Sequence, residues 1–486
     1  MAMRRYLLQI GGELRRGDTF EVVTSPFDGT PVGEVAVGGP ADLQDAIAAA
    51  DTAFATFRNL PTHRRAAILQ STGAALESRV EELAVLMARE SGKPVRYCRG
   101  EVRRAVVTFQ LGAAEATRMG GEVMPIDLEE RAEGRLCLYG RVPRGPVAAI
   151  APFNFPLNLV AHKLSPAIAV GAPVVLKPPP QCPLLALELG LILAEAGLPA
   201  GALSVVHCSP ATAQGMVEDP RMKVLSFTGS DVVGWKLKEL AGKKQVLLEL
   251  GGNAPCIVDQ GVDLDAVMGP LIGGAWANAG QVCIKVQRIL VHESAYAGFV
   301  DRFVTATRQV PCGDPLDEAT VVGPLIEPRH VARVLEWIQE AVAGGATLHC
   351  GGTAEGQVVR PAVLTGVLPD MRVCKDEVFG PVTVIESFAH FDQAIASCNA
   401  SRFGLQAGVF TNDIGHAMQA WHELDYGGVM INDVPTFRVD NFPYGGAKDS
   451  GFGREGVRFA MEEMTEPKVL VMRGMPKGPA GRETED

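Results

Sequence analysis

The sequence predicts an α/β protein: a Rossmann-like parallel-sheet domain, then a second α/β domain, with a cleft between them. Three observations predict this. The chain is 486 residues long and 47% hydrophobic, enough to bury a large core and, as a loose prior, enough for about three domains. From about residue 146, short apolar runs ("PVAAIAP", "PVVLKP", "LSVVH", "KVLSFTG", "QVLLELGG") alternate with helix-length segments such as "PLLALELGLILAEAGL", the pattern of parallel strands covered by helices on both faces. A second series, "QRILVHE", "GPVTVIESF", "QAGVFT" and "GGVMIND", runs between residues 251 and 445, punctuated by Gly, Pro, Asn and Asp. Ligands of such folds sit beyond the carboxyl ends of the strands.

Taken in order, the start "MAMRRYLLQIGGELRRGD" has two arginines before an apolar stretch too brief for a signal peptide. "ADLQDAIAAADTAFATFR" spaces Leu43, Ile47, Ala50, Phe54 and Phe57 as the apolar stripe of a helix. "RAAILQSTGAALESRVEELAVLMARESGK" continues in that style to a stop at Gly92 and Lys93. No GxGxxG follows any strand; in its place "SFTGSDVVGWKLKEL" puts Gly229 and Ser230 between a strand and a helix. The helix amides there could face a phosphate, or the pair could be an ordinary strand-to-helix turn. A polar tail after about Met475 is expected to be loose.

Charge and composition exclude several function classes. The net charge is −11, with no long Lys/Arg run, which leaves no footprint for nucleic acid or an anionic membrane surface. No stretch approaches the ~18 apolar residues of a membrane span. Ten cysteines are scattered singly without CxxC pairs, which fits a reducing cytoplasm. His207-Cys208 and His349-Cys350 have no second ligand pair at metal spacing, so no metal site is expected.

"AGQVCIKVQ" sets Cys283 among apolar neighbours, as a buried thiol or as a nucleophile. A nucleophilic cysteine needs a lowered pKa or a base, and donors for the oxyanion it creates on a carbonyl. Glu249 ends an apolar strand in "VLLELGGNAP", where burial would raise its proton affinity toward a general base's range; the alternative is a strand-end carboxylate bonded to its own turn. Asn154 in "APFNFPLNL" could donate its amide to an oxyanion or simply form a turn.

Together "APFNFPL", "VVLKPPPQCP", "SFTGS", "LLELGGNAP", "GQVCIKVQR", "GDPLDEATVVGPLI", "DEVFGPV" and "PYGGAKDSGFGREG" resemble, in order and over nearly the whole chain, the aldehyde dehydrogenase superfamily. The 34-residue step from Glu249 to Cys283 is similar to the family's spacing of base and nucleophile. The resemblance implies that Cys283 attacks the aldehyde, that Asn154 and the Cys283 amide hold the oxyanion, that hydride passes to NAD or NADP, and that Glu249 activates the water that hydrolyses the thioester. It implies a secondary proton relay for Lys163 and Glu455, which a buried ion pair explains equally well. For the cofactor it implies Phe153, Lys177, Pro180, Gly229, Ser230, Leu250, Glu377 and Phe379. Pro180 stands where many NAD-preferring members carry a glutamate, so NADP should be tolerated.

The resemblance also divides the chain. Residues 1–121 and 146–250 would bind the cofactor, 251–445 would form the catalytic domain, and 122–145 with 446–486 would form a small β oligomerisation arm and C-terminal segment. A homodimer or homotetramer is implied, although "RLCLYGRV" by itself supports only a hairpin. Val282, Ile284, Arg438 and Tyr444, with Phe437, would line a compact pocket. Val282 argues against a phosphorylated substrate, and Arg438 could grip a carboxylate or hydroxyl or sit in a surface ion pair. "KPPPQ" is similar to non-phosphorylating glyceraldehyde-3-phosphate dehydrogenases and "TFRVDNFPYGG" to lactaldehyde dehydrogenases, which suggests lactaldehyde, glyceraldehyde or a semialdehyde. A CoA-acylating enzyme and a catalytically idle structural or binding protein are the alternatives; Glu249 argues against the first and the intact Cys283, Glu249 and Asn154 against the second.

Overall fold

The computed structural model describes residues 3–17 and 19–474; the tail expected to be loose after Met475 lies outside them. Two α/β units each surround one sheet. The first sheet has the strand order Gly451–Phe452, Gln245–Glu249, Val224–Thr228, Val147–Ile150, Val174–Lys177, Leu203–Val205, Leu8–Ile10 and Glu13–Arg15. Its five central strands are parallel, and the flanking pairings at both edges are antiparallel. The central strands are the five expected from the apolar runs. Each is buried almost throughout, as strands sandwiched between helical layers must be.

The chain runs from Val147–Ile150 outward to Leu203–Val205, then returns to place Val224–Thr228 on the other side of its starting strand. This reversal leaves a crevice beyond the carboxyl ends of those two strands. Phe153 and Asn154 follow one of them, and Gly229 and Ser230 follow the other.

The second sheet has the order Thr347–Cys350, Ala362–Thr365, Val382–Phe388, Arg288–His292, Pro255–Val258, Gln406–Phe410 and Gly428–Ile431, parallel except at the first pair. Its core packs on Trp276, Phe299 and Phe303.

The N-terminal region is helical as expected over Pro40–Phe57, but among the described residues five short strands precede that helix, Thr19–Thr24 and Pro31–Val37 among them. The segment read as one continuing helix is two, Thr62–Ser78 and Val80–Ser91, broken where Arg79 leaves helical geometry (φ −117°, ψ 19°) and stopped at Gly92 in the left-handed region. The C-terminal boundary differs as well. Residues 446–464, assigned with the arm from the sequence, join the first unit instead. Gly451–Phe452 extends its sheet, and helix Val457–Glu463 buries Val457, Ala460 and Met461 in its core. An apolar helix face is better buried on that core than on a thin arm. Of the described residues in that segment, only Thr465–Arg473 joins Glu122–Met124 and Arg135–Pro143 in a separate three-stranded antiparallel sheet.

Candidate active site

The two units meet where the end of strand Gln245–Glu249 approaches the loop that carries Cys283. A Cβ built on Gly252 would lie 2.3 Å from the Cys283 carbonyl oxygen, so only glycine permits this approach. Ahead of the cysteine, Asn278, Ala279 and Gly280 take three successive left-handed conformations (φ 53°, 54° and 69°). Ala279 carries a Cβ in that region and costs about 1–2 kcal/mol there. The turn ends helix Leu264–Trp276 abruptly and presents Cys283 to the cleft.

Cys283 is half-buried, and its Sγ lies 3.2 Å from Tyr444 Oη in hydrogen-bond contact. Burial pushes the thiol up to about 11, while the Tyr444 hydrogen bond and the charge of Arg438 pull it back. Val282 and Ile284 pack with Leu405, Phe442 and Tyr444 into a small apolar wall around it. Cys98 and Cys182, by contrast, lie in the core, their thiols raised by burial and bonded, among the described residues, only to the carbonyls of Lys93 and Phe153.

Asn154 is buried, and its amide donates to the Gln281 carbonyl at 3.1 Å, two residues before the cysteine. One amide hydrogen remains to donate elsewhere. Behind it, Lys93 donates to the Asn154 carbonyl at 3.3 Å and pairs with Glu101 at 2.6 Å. Glu101 in turn accepts the Leu157 and Asn158 amides that open helix Asn158–Val170. One buried pair therefore fixes both the Asn154 backbone and the helix that carries Lys163.

Around Glu249 the charges are concentrated. Lys163 donates to Ser226 Oγ (3.1 Å), Thr228 Oγ1 (2.7 Å) and Glu455 Oε1 (3.4 Å). Arg438 donates to Glu455 Oε2 at 3.2 Å and stacks 3.6 Å over the Tyr444 ring. Against the cost of burial, Lys163, His162 and Arg438 hold the Glu455 carboxyl below its usual range. Glu249 is different: its Oε2 has no hydrogen-bond partner, and burial, with Glu455 nearby, pushes its carboxyl well above the usual range. Arg438 is therefore not in a surface ion pair, one of the two sequence readings. Its side chain is 8% exposed, its partner is internal, and its Nε is unpartnered. Next to it Asp440 accepts from Arg104 (2.6 Å), His162 Nε2 (2.8 Å) and Asn158 (3.2 Å).

Of the residues expected to hold the cofactor, Phe153, Lys177, Gly229 and Ser230 lie at the carboxyl ends of the first sheet's strands. Lys177 ends its strand buried, and among the described residues its Nζ bonds only to the Pro178 carbonyl (3.0 Å) and has no carboxylate partner. Ser230 opens helix Asp231–Leu240 without a side-chain cap, so the first amides stay free. An unneutralised cation and free helix amides at one crevice fit a ribose-phosphate ligand. Glu377 accepts the Gly252 amide at 2.9 Å, and burial lifts its carboxyl to about 7. Phe379, at a left-handed φ of 44°, meets Phe153 edge-on with centroids 5.9 Å apart. Pro180 is exposed at a cleft of about 440 Å³ that Glu21, Glu90 and Glu327 also line. Leu250 departs from expectation: its side chain is 2% exposed and packs on Gly234 in the core, so a cofactor contact would fall to its backbone.

Sequence reading missed Gln281, Lys93, Glu101, His162, Asp440 and Arg104. His162 and Gln281 lie inside or beside quoted motifs and were available as neighbours of Lys163 and Cys283. Arg104 is 336 residues from Asp440, and no local pattern joins them.

The chain is similar to known proteins over nearly its whole length. The aldehyde dehydrogenase family model matches residues 15–470. A 3-sulfolactaldehyde dehydrogenase of Priestia aryabhattai is 41% identical over 471 residues, covering 97% of this chain and 98% of that protein. Aldehyde dehydrogenase 21 from Physcomitrella patens, solved with its reaction product succinate, superposes with a TM-score of 0.95 at 42% identity, over 97% of this chain and 99% of that one. A glyceraldehyde-3-phosphate dehydrogenase from Methanocaldococcus jannaschii, solved with NADP, has a TM-score of 0.90 at 36% identity, over 94% and 100% of the two chains. The chain belongs to the aldehyde dehydrogenase family.

Proposed function

We propose that this NAD(P)-dependent aldehyde dehydrogenase oxidises a short aldehyde that carries an acid group at its far end, with Cys283 as nucleophile and Glu249 as the hydrolytic base. The observation that carries this reading is Arg438, a buried cation stacked under Tyr444 of the compact apolar wall, whose Nε has no hydrogen-bond partner among the described residues. Such a guanidinium suits a substrate anion. The sulfolactaldehyde and succinate relatives handle such molecules. Val282 supplies no charge for a phosphate beside the nucleophile, so a carboxylate or sulfonate is favoured over a phosphorylated substrate.

In the first half-reaction the Cys283 thiolate attacks the carbonyl carbon, and the oxygen that gains the electron pair is held by the Asn154 amide and the Cys283 backbone N–H. NAD or NADP, when bound, accepts the hydride. Lys177, Gly229, Ser230 and Glu377 are the residues that would hold it. Glu249 then takes a proton from water, and the resulting hydroxide attacks the thioester and returns the thiolate. Transfer to CoA is not needed, because Glu249 supplies the base for water. Lys163 and Glu455, joined at 3.4 Å, could carry that proton away. The strand Thr465–Arg473 is exposed beyond its first residue, with Val469, Leu470 and Val471 open to solvent; we infer that it pairs with another copy in a homo-oligomer. Ten free thiols fit a reducing compartment.

The test is steady-state kinetics with succinate semialdehyde and with butanal, in wild type and in Arg438→Met. Wild type should favour the acid-bearing aldehyde roughly 10- to 100-fold in kcat/KM, and Arg438→Met should remove most of that preference. Equal kcat/KM for the two aldehydes in wild type refutes the substrate class.

A further inference from the structure

The geometry points to Tyr444 as a further catalytic residue: its hydroxyl donates to Cys283 Sγ and stabilises the thiolate that the nucleophile forms when it ionises, with the Arg438 guanidinium stacked on the ring beneath it. The inference goes beyond substrate choice and rests on Cys283 being the nucleophile.

Among the described residues, Tyr444 is the only side chain in hydrogen-bond contact with the Cys283 sulfur. Glu249, the usual suspect for a base, has one oxygen with no partner and makes no hydrogen bond to Sγ. The thiolate therefore has to be stabilised by donation and charge rather than by a base in contact. Tyr444 is placed for this with little freedom. Its amide donates to the Glu455 carbonyl at 3.0 Å, and the Glu455 amide donates back to the Tyr444 carbonyl at 2.7 Å. Its ring lies between the Phe442 edge and the Arg438 guanidinium, at centroid distances of 6.3 Å and 3.6 Å. Arg438 is itself fixed by Glu455.

A cation over the ring face draws electron density from the phenol and strengthens its O–H as a donor. Charge-assisted hydrogen bonds of this kind are about twice as strong as neutral ones. On ionisation the thiol proton leaves to water on the open side of the half-buried cysteine, and Tyr444 keeps its own proton. When the aldehyde arrives, the sulfur pair forms the S–C bond, the carbonyl π pair moves to oxygen, and the hydroxyl is released from sulfur. Because Tyr444 and Glu455 are paired through their backbones, the nucleophile is also tied to the carboxylate cluster around Glu249.

The experiment is alkylation by iodoacetamide at a fixed pH below the thiol's midpoint, in wild type, Tyr444→Phe and Cys283→Ala, with thermal unfolding of each. Tyr444→Phe should alkylate about tenfold more slowly at Cys283, and the acidic limb of kcat/KM should move up by about one pH unit. If Tyr444→Phe does not fold, Arg438→Lys keeps the hydroxyl but loses the stacked plane, and should slow alkylation about threefold. An unchanged or faster rate in either folded variant overturns the role of Tyr444. A Cys283→Ala enzyme that still turns over aldehyde would instead overturn the nucleophile assignment, so the two failures are distinct.

Discussion

Glu455 and Glu249 occupy neighbouring parts of one buried cluster, 2% and 4% exposed, and hold their protons in opposite ways. Around Glu455 both oxygens have cationic partners, Lys163 on one and Arg438 on the other, and the carboxyl stays ionised. Around Glu249 one oxygen has no hydrogen-bond partner among the described residues, and burial favours the neutral acid. Burial alone therefore does not decide what a carboxylate does; the partners it is given do. The paired carboxylate organises the site, and the unpaired one is free to exchange a proton with water.

Glu249 has a thioester to act on only if Cys283 forms one, and the largest effect falls there. Cys283→Ala should lower kcat by roughly 10⁴-fold or more, measured as aldehyde-dependent NAD(P)H formation; a normal rate would break the contrast at its root. Next, the two carboxylates should fail differently. Glu249→Gln should keep a burst of NAD(P)H and lose roughly 10²- to 10⁴-fold in steady-state turnover. Glu455→Gln should instead lose about 3–5 kcal/mol of stability in denaturant unfolding, because it strands Lys163 and Arg438. Similar behaviour of the two variants would erase the distinction.

The smallest effect is in pH. Turnover should fall as pH is lowered through the raised Glu249 value, about tenfold per unit, because the base becomes protonated. Glu455 has a depressed folded value, so its contribution to stability is complete above its ordinary 4.5 and is lost as pH falls below that. Activity should thus decline at a higher pH than stability does, and coincident curves would contradict the opposed settings of the two groups.

Much of this was legible in the sequence, for physical reasons that differ by element. The five central strands of the first sheet are buried on both faces and therefore read as short continuous apolar runs. Helix Pro40–Phe57 shows its stripe because one face packs and the other is solvated. The short strands Leu8–Ile10 and Glu13–Arg15 were missed because an edge hairpin of three residues per strand carries no periodicity long enough to see. Helix Val457–Glu463 was misassigned because its partner is a core assembled from residues hundreds of positions away. The site divides in the same way. Cys283, Glu249 and Asn154 stand within local motifs, whereas the Arg104–Asp440–His162 network and the Tyr444–Cys283 contact exist only through long-range folding.

The resting state of Cys283 has a consequence for durability. Oxidants such as peroxide attack thiolates, and burial keeps this sulfur largely in its protonated form, with the thiol raised to about 11. An idle enzyme molecule is accordingly sheltered from sulfenic acid formation at the one sulfur it cannot spare.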